Sequence, residues 1–171
     1  MDTNPMRQIH VEKVTLNIGV GKNPKELEKA TKLLKRLSDA EPIRTFTNKR
    51  IQAWGLRPGL PLGCKVTLRK EEAVKKLRIF LAAKEKTLKK RQFDDEGNVS
   101  FGIHEYLDIP DARYDPEIGM LGMNVCITLE RKGYRIKRRK IKSRKIPKKS
   151  RIAQQESIEF MKQEFGVIIE E

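Results

Sequence analysis

Gly19-Val20-Gly21-Lys22 lies between a strand-like run and a helix-like one, where phosphate-cradling loops occur. A Walker loop would need glycine at position 16, which is Leu16, and a dinucleotide fingerprint would need a small residue at position 24, which is Pro24. The stretch therefore reads as a tight turn of small residues that lets an RNA backbone approach closely. His10 and His104 stand alone, and no Cys, His or Asp grouping has metal-ligand spacing, so no metal is expected. Asp94, Asp95 and Glu96 bunch beside Gly97-Asn98, the composition of a solvated hairpin turn. Paired-carboxylate catalysis would need an opposing acid across a cleft, and nothing nominates one. The residues point away from an enzyme, a cofactor and a small-molecule substrate.

The positive charge points elsewhere. The 171 residues carry a formal net charge of +15, with 37% hydrophobic and 36% charged residues. Like charge at that density is relieved by a polyanion, and nucleic acid is the usual one. An anionic membrane surface is the rival. No apolar run approaches the roughly 20 residues needed to span a bilayer, and the start, Met1-Asp2-Thr3-Asn4-Pro5, lacks a charged-then-apolar leader pattern. Cys64 and Cys126 lie far apart in apolar alternations and read as buried thiols of a reducing cytosol.

Three stretches could grip RNA. The irregular segment 48–63 holds Lys49, Arg50 and Arg57 for phosphates, and Trp54, which either stacks on a nucleotide or folds back to anchor its own loop. The pattern alone does not decide between these. Lys65, Thr67 and Arg69 occupy the non-core parity of a strand and fit either an RNA-facing surface or an ordinary solvated face. The run 131–151 contains Arg135, Lys137, Arg138, Arg139 and Lys140 and no acid, so its binding should weaken steeply with salt. Aromatics of the kind that stack bases on RRM sheets are missing from the polar parity of the strands.

The elements that would position these residues follow from periodicity. Residues 9–20 alternate as a strand, but the apolar parity switches between Val11 and Val14, which predicts a bulge near Glu12-Lys13. Asn23, Pro24 and Glu26 open a helix striped by Leu27, Ala30, Leu33, Leu34 and Leu37. A short extended piece spans 43–47. A strand with Cys64, Val66 and Leu68 inward precedes a helix over 71–81, which runs out into a charged tail over 84–91. Val99, Phe101 and Ile103, then Met123, Val125, Ile127 and Leu129, mark two further strands separated by an irregular stretch, 108–122. Residues 134–137 could pair back across Gly133, and a final helix over 154–165 stops at Gly166. Late strands joined by turns favour one α+β domain over 1–171, an antiparallel sheet with helices on one face.

Taken together, Asn4-Pro5-Met6-Arg7, Val14-Thr15-Leu16-Asn17-Ile18-Gly19-Val20-Gly21, Gly63-Cys64-Lys65-Val66-Thr67-Leu68-Arg69, the run FDDEGNVSFG over 93–102, and Tyr114-Asp115-Pro116 resemble the large-subunit ribosomal protein L five family over nearly the whole chain. The Asn-Pro-Met-Arg start, the Tyr-Asp-Pro and the last helix look archaeal or eukaryotic in type rather than bacterial, and we take the archaeal type. The resemblance implies a five-stranded antiparallel sheet with helices packed on one face, ferredoxin-like and RRM-like in outline. It implies a structural, non-enzymatic place in the central protuberance of a cytoplasmic ribosome, bound to 5S rRNA and near 23S rRNA. On the family's pattern, Asn17, Gly19, Gly21, Thr47, Asn48 and Lys49 would contact 5S rRNA, joined by Lys65 and Arg69. Arg50, Trp54 and Arg57 would reach the P-site tRNA. The stretch 108–122 would meet a small-subunit head protein of the S thirteen family, and the run from Arg135 to Lys140 would add rRNA phosphate contacts. Ala153 stands where relatives often place a capping serine, which weakens the expected start of the last helix. Two rivals remain from other classes, an RNA-modifying enzyme and a basic RNA chaperone without a fixed partner.

Overall fold

A computed structural model describes residues 4–110 and 112–170. The leader reading of Met1 to Thr3 falls outside them. The first strand, β1 (Ile9–Gly19), buries Val14, Leu16 and Ile18 on one side. Its register against its neighbour slips between Val11 and Lys13, so Glu12 is the extra residue of a bulge, as the parity switch predicts. Helix α1 (Pro24–Ser38) begins where expected. Asn23 Oδ1 accepts from Lys25 N at 3.2 Å, and its Nδ2 donates to Glu26 at 2.9 Å.

The chain continues through β2 (Ile43–Phe46), β3 (Pro61–Arg69), α2 (Lys70–Ala82), β4 (Thr87–Lys89), β5 (Val99–Ile103) and β6 (Met123–Arg131). It ends with a one-turn helix α3 (Arg135–Arg138), α4 (Gln154–Phe165) and β7 (Ile168–Glu170). Five strands form an antiparallel sheet in the order β2-β3-β1-β6-β5. One side of it is apolar. Leu16, Cys64, Val66, Val125, Ile127 and Phe101 pack there against Leu33 and Leu34 of α1, Leu77 and Phe80 of α2, and Met161 of α4. Each large side chain so buried contributes about 1.5–3 kcal/mol relative to exposure. The helices cover this side only because the alternation along each strand leaves the other side polar.

Four expectations need correction. Strand β3 starts at Pro61, so the irregular segment written as 48–63 ends three residues earlier; proline is tolerated at the first residue of a strand. The charged stretch 84–91 is not simply the run-out of the helix: α2 ends at Ala82, and Leu88 is fully buried in β4, which pairs in parallel with β7. Residues 134–137 do not pair back onto β6; Arg135–Arg138 turn as a short helix. The last helix also keeps half of a capping arrangement. Ala153 has no side-chain acceptor, but Glu156 Oε2 accepts from Ala153 N at 2.9 Å.

Candidate nucleic-acid interface

The uncovered side of the five-stranded sheet is built from the alternate residues of the same strands. The register aligns Ile43, Lys65, Asn17, Asn124 and Gly102 in one row across all five. The next row toward the strand ends holds Thr45, Gly63 and Gly19. Gly63 is required by crowding, because a Cβ there would sit 2.4 Å from Ile18 O and 3.2 Å from Thr45 Oγ1. Around Gly19 and Gly21 nothing lies within 4 Å of a would-be Cβ, so this corner is flat and open. Gly21, at φ +75°, turns the chain toward α1. Val20 N and Gly21 N both donate to Leu62 O at 3.0 Å, so these two amides are satisfied inside the protein and are not aimed outward as a phosphate nest.

Thr47, Asn48 and Lys49 follow directly from β2 at this same corner, with Asn48 and Lys49 exposed. Asn17, Gly19, Gly21, Thr47, Asn48, Lys49 and Lys65 therefore share one end of the sheet. Arg69 does not. It pairs in register with Lys13, four residues along the strand from Lys65, or roughly 13 Å at 3.3 Å per residue.

At that far end stand two carboxylates that the sequence reading did not single out. Glu12, pushed out by the bulge, and Glu130 have side chains only 11% and 10% exposed. Arg69 Nη1 donates to Glu12 at 2.9 Å, and Arg138 bridges both acids, closely to Glu12 and through Nη2 to Glu130 at 2.7 and 2.8 Å. Arg138 is thus engaged within the protein, and it ties the basic run 131–151 to the open face. The alternation of polar residues in 123–131 could have flagged Asn124 and Glu130, whereas the partner of Glu12 is not a local property. Arg138→Ala should leave the acids under-compensated and speed tryptic cleavage within 131–151 several-fold; unchanged cleavage would argue against the tether.

The remainder of the run is also held. Tyr134 donates its hydroxyl to Ser150 O at 2.7 Å, Arg139 Nε to Lys142 O at 2.8 Å, and Arg151 Nη1 to Glu96 at 3.3 Å. Burial pushes the Tyr134 phenol above its ordinary pKa. Arg135, Lys137 and Lys140 are exposed, and among the described residues no carboxylate pairs with them.

The loop after β2 is a small hairpin. Ile51 and Leu56 exchange backbone hydrogen bonds of 3.2 and 2.9 Å, and Gly59 N donates to Thr47 O at 2.9 Å. Leu56 is the buried anchor, while Trp54 is 64% exposed near the tip, so the loop does not fold back on its tryptophan. Lys49, Arg50 and Arg57 are exposed on the same hairpin. The stretch 108–122 is clamped to the rest of the fold. Asp115 N donates to the hydroxyl of buried Tyr106 at 3.0 Å, Arg36 reaches Asp115 at 3.3 Å, and Lys32 reaches Glu117 at 2.9 Å. The Glu117 hydrogen bond and charge raise the Lys32 pKa. Tyr114 and Met120 are left exposed on its surface.

Cys64 faces the core and Cys126 the open face, on opposite sides of the sheet, and burial pushes both thiols up. Among the described residues no three of His, Cys, Asp and Glu group as metal ligands, and no helix is long and apolar enough to cross a membrane.

The family model described as "Ribosomal protein L5" matches residues 4–57, and that for the "ribosomal L5P family C-terminus" matches residues 61–160. The large ribosomal subunit protein uL5 of Sulfurisphaera tokodaii is 48% identical over 169 residues, covering 98% of this chain and 96% of its own. That of Methanosphaera stadtmanae is 44% identical over 167 residues, covering 98% and 99%, and that of Nanoarchaeum equitans 47% over 167, covering 97% and 98%. The chain is thus a structural, non-enzymatic component of the large ribosomal subunit. It belongs to the ribosomal protein L5 family, in its archaeal form.

Proposed function

We propose that the open sheet corner holds 5S rRNA within the central protuberance of a cytoplasmic ribosome, with 23S rRNA nearby. The observation that carries this reading is the row of Lys65, Asn17 and Asn124, bordered by Gly19 and Gly21 with open space above them. Glycines let a phosphate backbone come close, the amides offer hydrogen bonds, and Lys65 and Lys49 supply charge at the corner, while the exposed Arg135, Lys137 and Lys140, beyond the other end of the sheet, add rRNA phosphate contacts of their own. Arg69 and Arg138 contribute less directly, through the acids they neutralise. The hairpin tip with Arg50, Trp54 and Arg57 is the element for P-site tRNA, where an exposed indole can stack on a nucleotide. The stretch 108–122, held at Asp115 and Glu117 and with Tyr114 and Met120 outward, is the surface for the small-subunit head protein of the S thirteen family.

Gel-shift competition between 5S rRNA and an unrelated duplex of equal length, at physiological salt, tests the reading. Preference for 5S rRNA is expected; equal binding would favour a general RNA chaperone. Arg50→Glu combined with Arg57→Glu should spare 5S rRNA binding and impair tRNA contact on assembled ribosomes. Loss of 5S rRNA binding in that double variant would show the hairpin to be part of the 5S site instead.

A further inference from the structure

The sheet corner leaves one built cavity unused. Where β6 ends, the turn at Gly133, the residues Asn4, Met6 and Arg7 and the segment 145–150 line a cleft of about 450 Å³. That lies within the roughly 300–1,000 Å³ of small-ligand sites. Tyr134, Ile136, Ile146 and Pro147 give it apolar walls. Lys132, Lys145 and Lys149 stand around it, and among the described residues no carboxylate lines it or pairs with these lysines. Arg131, also in its wall, is a nearly buried cation paired through Nη2 with Glu156 at 2.5 Å, while its Nε has no hydrogen-bond partner. The smaller cleft on the other side of Tyr134, about 320 Å³, differs in carrying Glu96, already paired with Arg151. Of these two clefts, the first alone joins apolar walls to lysines that no carboxylate pairs with among the described residues.

We infer that this cleft receives a single unpaired nucleotide extruded from an RNA helix, its base against Tyr134 and Pro147 and its phosphate among Lys132, Lys145 and Lys149. The inference rests on the RNA-binding reading above, but uses a site on the far side of the fold from the Asn17 corner. A base offers the flat apolar face that the walls match, and the flanking phosphates match the lysines. The cleft is sized for one nucleotide and not for an extended chain. An acidic peptide would satisfy the lysines while leaving the apolar floor unmatched.

The test uses the intact protein and two short RNA duplexes of equal length, one fully paired and one with a single bulged 2-aminopurine, at physiological salt. The bulged duplex should bind about tenfold more tightly, with a change in 2-aminopurine fluorescence, as expected for stacking one base on an aromatic ring. Tyr134→Leu should abolish both the preference and the fluorescence change. Tyr134→Phe, which loses the same hydroxyl bond to Ser150 but keeps the ring, should retain them. Equal binding of the two duplexes by the unaltered protein would overturn the inference while leaving general RNA binding intact. Binding of neither, with 5S rRNA still bound in the same assay, would overturn the inference alone; loss of 5S rRNA binding as well would overturn the RNA-binding reading. Displacement of the bulged duplex by poly-glutamate as readily as by unlabelled bulged RNA would also overturn it, since the cleft would then read charge alone.

Discussion

Asn17→Asp is expected to lower affinity for 5S rRNA by at least about tenfold without changing the fold. The substitution is isosteric, and Asn17 is a half-buried residue of the open face with Lys65 and Asn124 beside it. Losing the whole side-chain amide, as in Asn17→Ala, should cost about 1–3 kcal/mol if a hydrogen bond to RNA goes with it. The aspartate adds repulsion from the phosphates, so it should be the worse of the two. Filter binding at fixed ionic strength measures the loss, and circular dichroism with a thermal melt checks that the sheet is intact. Affinity for 5S rRNA unchanged in the aspartate variant would remove the corner from the binding surface.

The second large effect is on stability, and it has opposite expectations for the two partners of one ion pair. The Arg131 side chain is 7% exposed and donates from Nη2 to Glu156 at 2.5 Å, whereas Glu156 is 42% exposed. Glu156→Ala strands a nearly buried cation and also removes the acceptor of Ala153 N at the start of α4. We expect a cost of about 2–4 kcal/mol, since removing one partner of a buried pair costs more than the pair is worth and partial exposure of Glu156 moderates the value. In a chain of this size that is a melting temperature lower by roughly 5–15 °C. Arg131→Met, by contrast, removes the buried charge, fills the space and leaves a solvated acid, so its change should stay within about 1 kcal/mol. Urea unfolding of the two variants decides. Equal destabilisation would mean that Arg131 is held by packing and not by its charge.

How far the sequence reveals the molecule depends on how local each feature is. Helix α1 is legible because cap, proline and apolar stripe all lie within one short segment. The bulge at Glu12 is legible because it flips a parity that continues for several residues on either side. The β4–β7 pair is not, because three residues are too few to display a period and the partner strand is remote. The basic run illustrates the other limit. Read alone, 131–151 is a stretch of cations without an acid, and an external polyanion is its natural complement. Glu12, Glu130, Glu96 and Glu156 reach it, or the β6 end that leads into it, from other elements, and no local pattern announces them. The Asn17 corner was nominated by its small and polar residues and by family likeness. Its lateral neighbour Asn124 and the exposure of Trp54 are three-dimensional facts.

The parallel clasp between Thr87–Lys89 and Ile168–Glu170 has a consequence for how the molecule is completed during synthesis. All five strands of the large sheet emerge before residue 168, so that sheet can assemble while the segment carrying Leu88 still lacks its companion strand. Closing so long a loop is entropically costly, which suits a final fastening step after α4 has docked. Until then, the strand carrying Leu88 lacks its partner and its edge is open to chaperones and proteases.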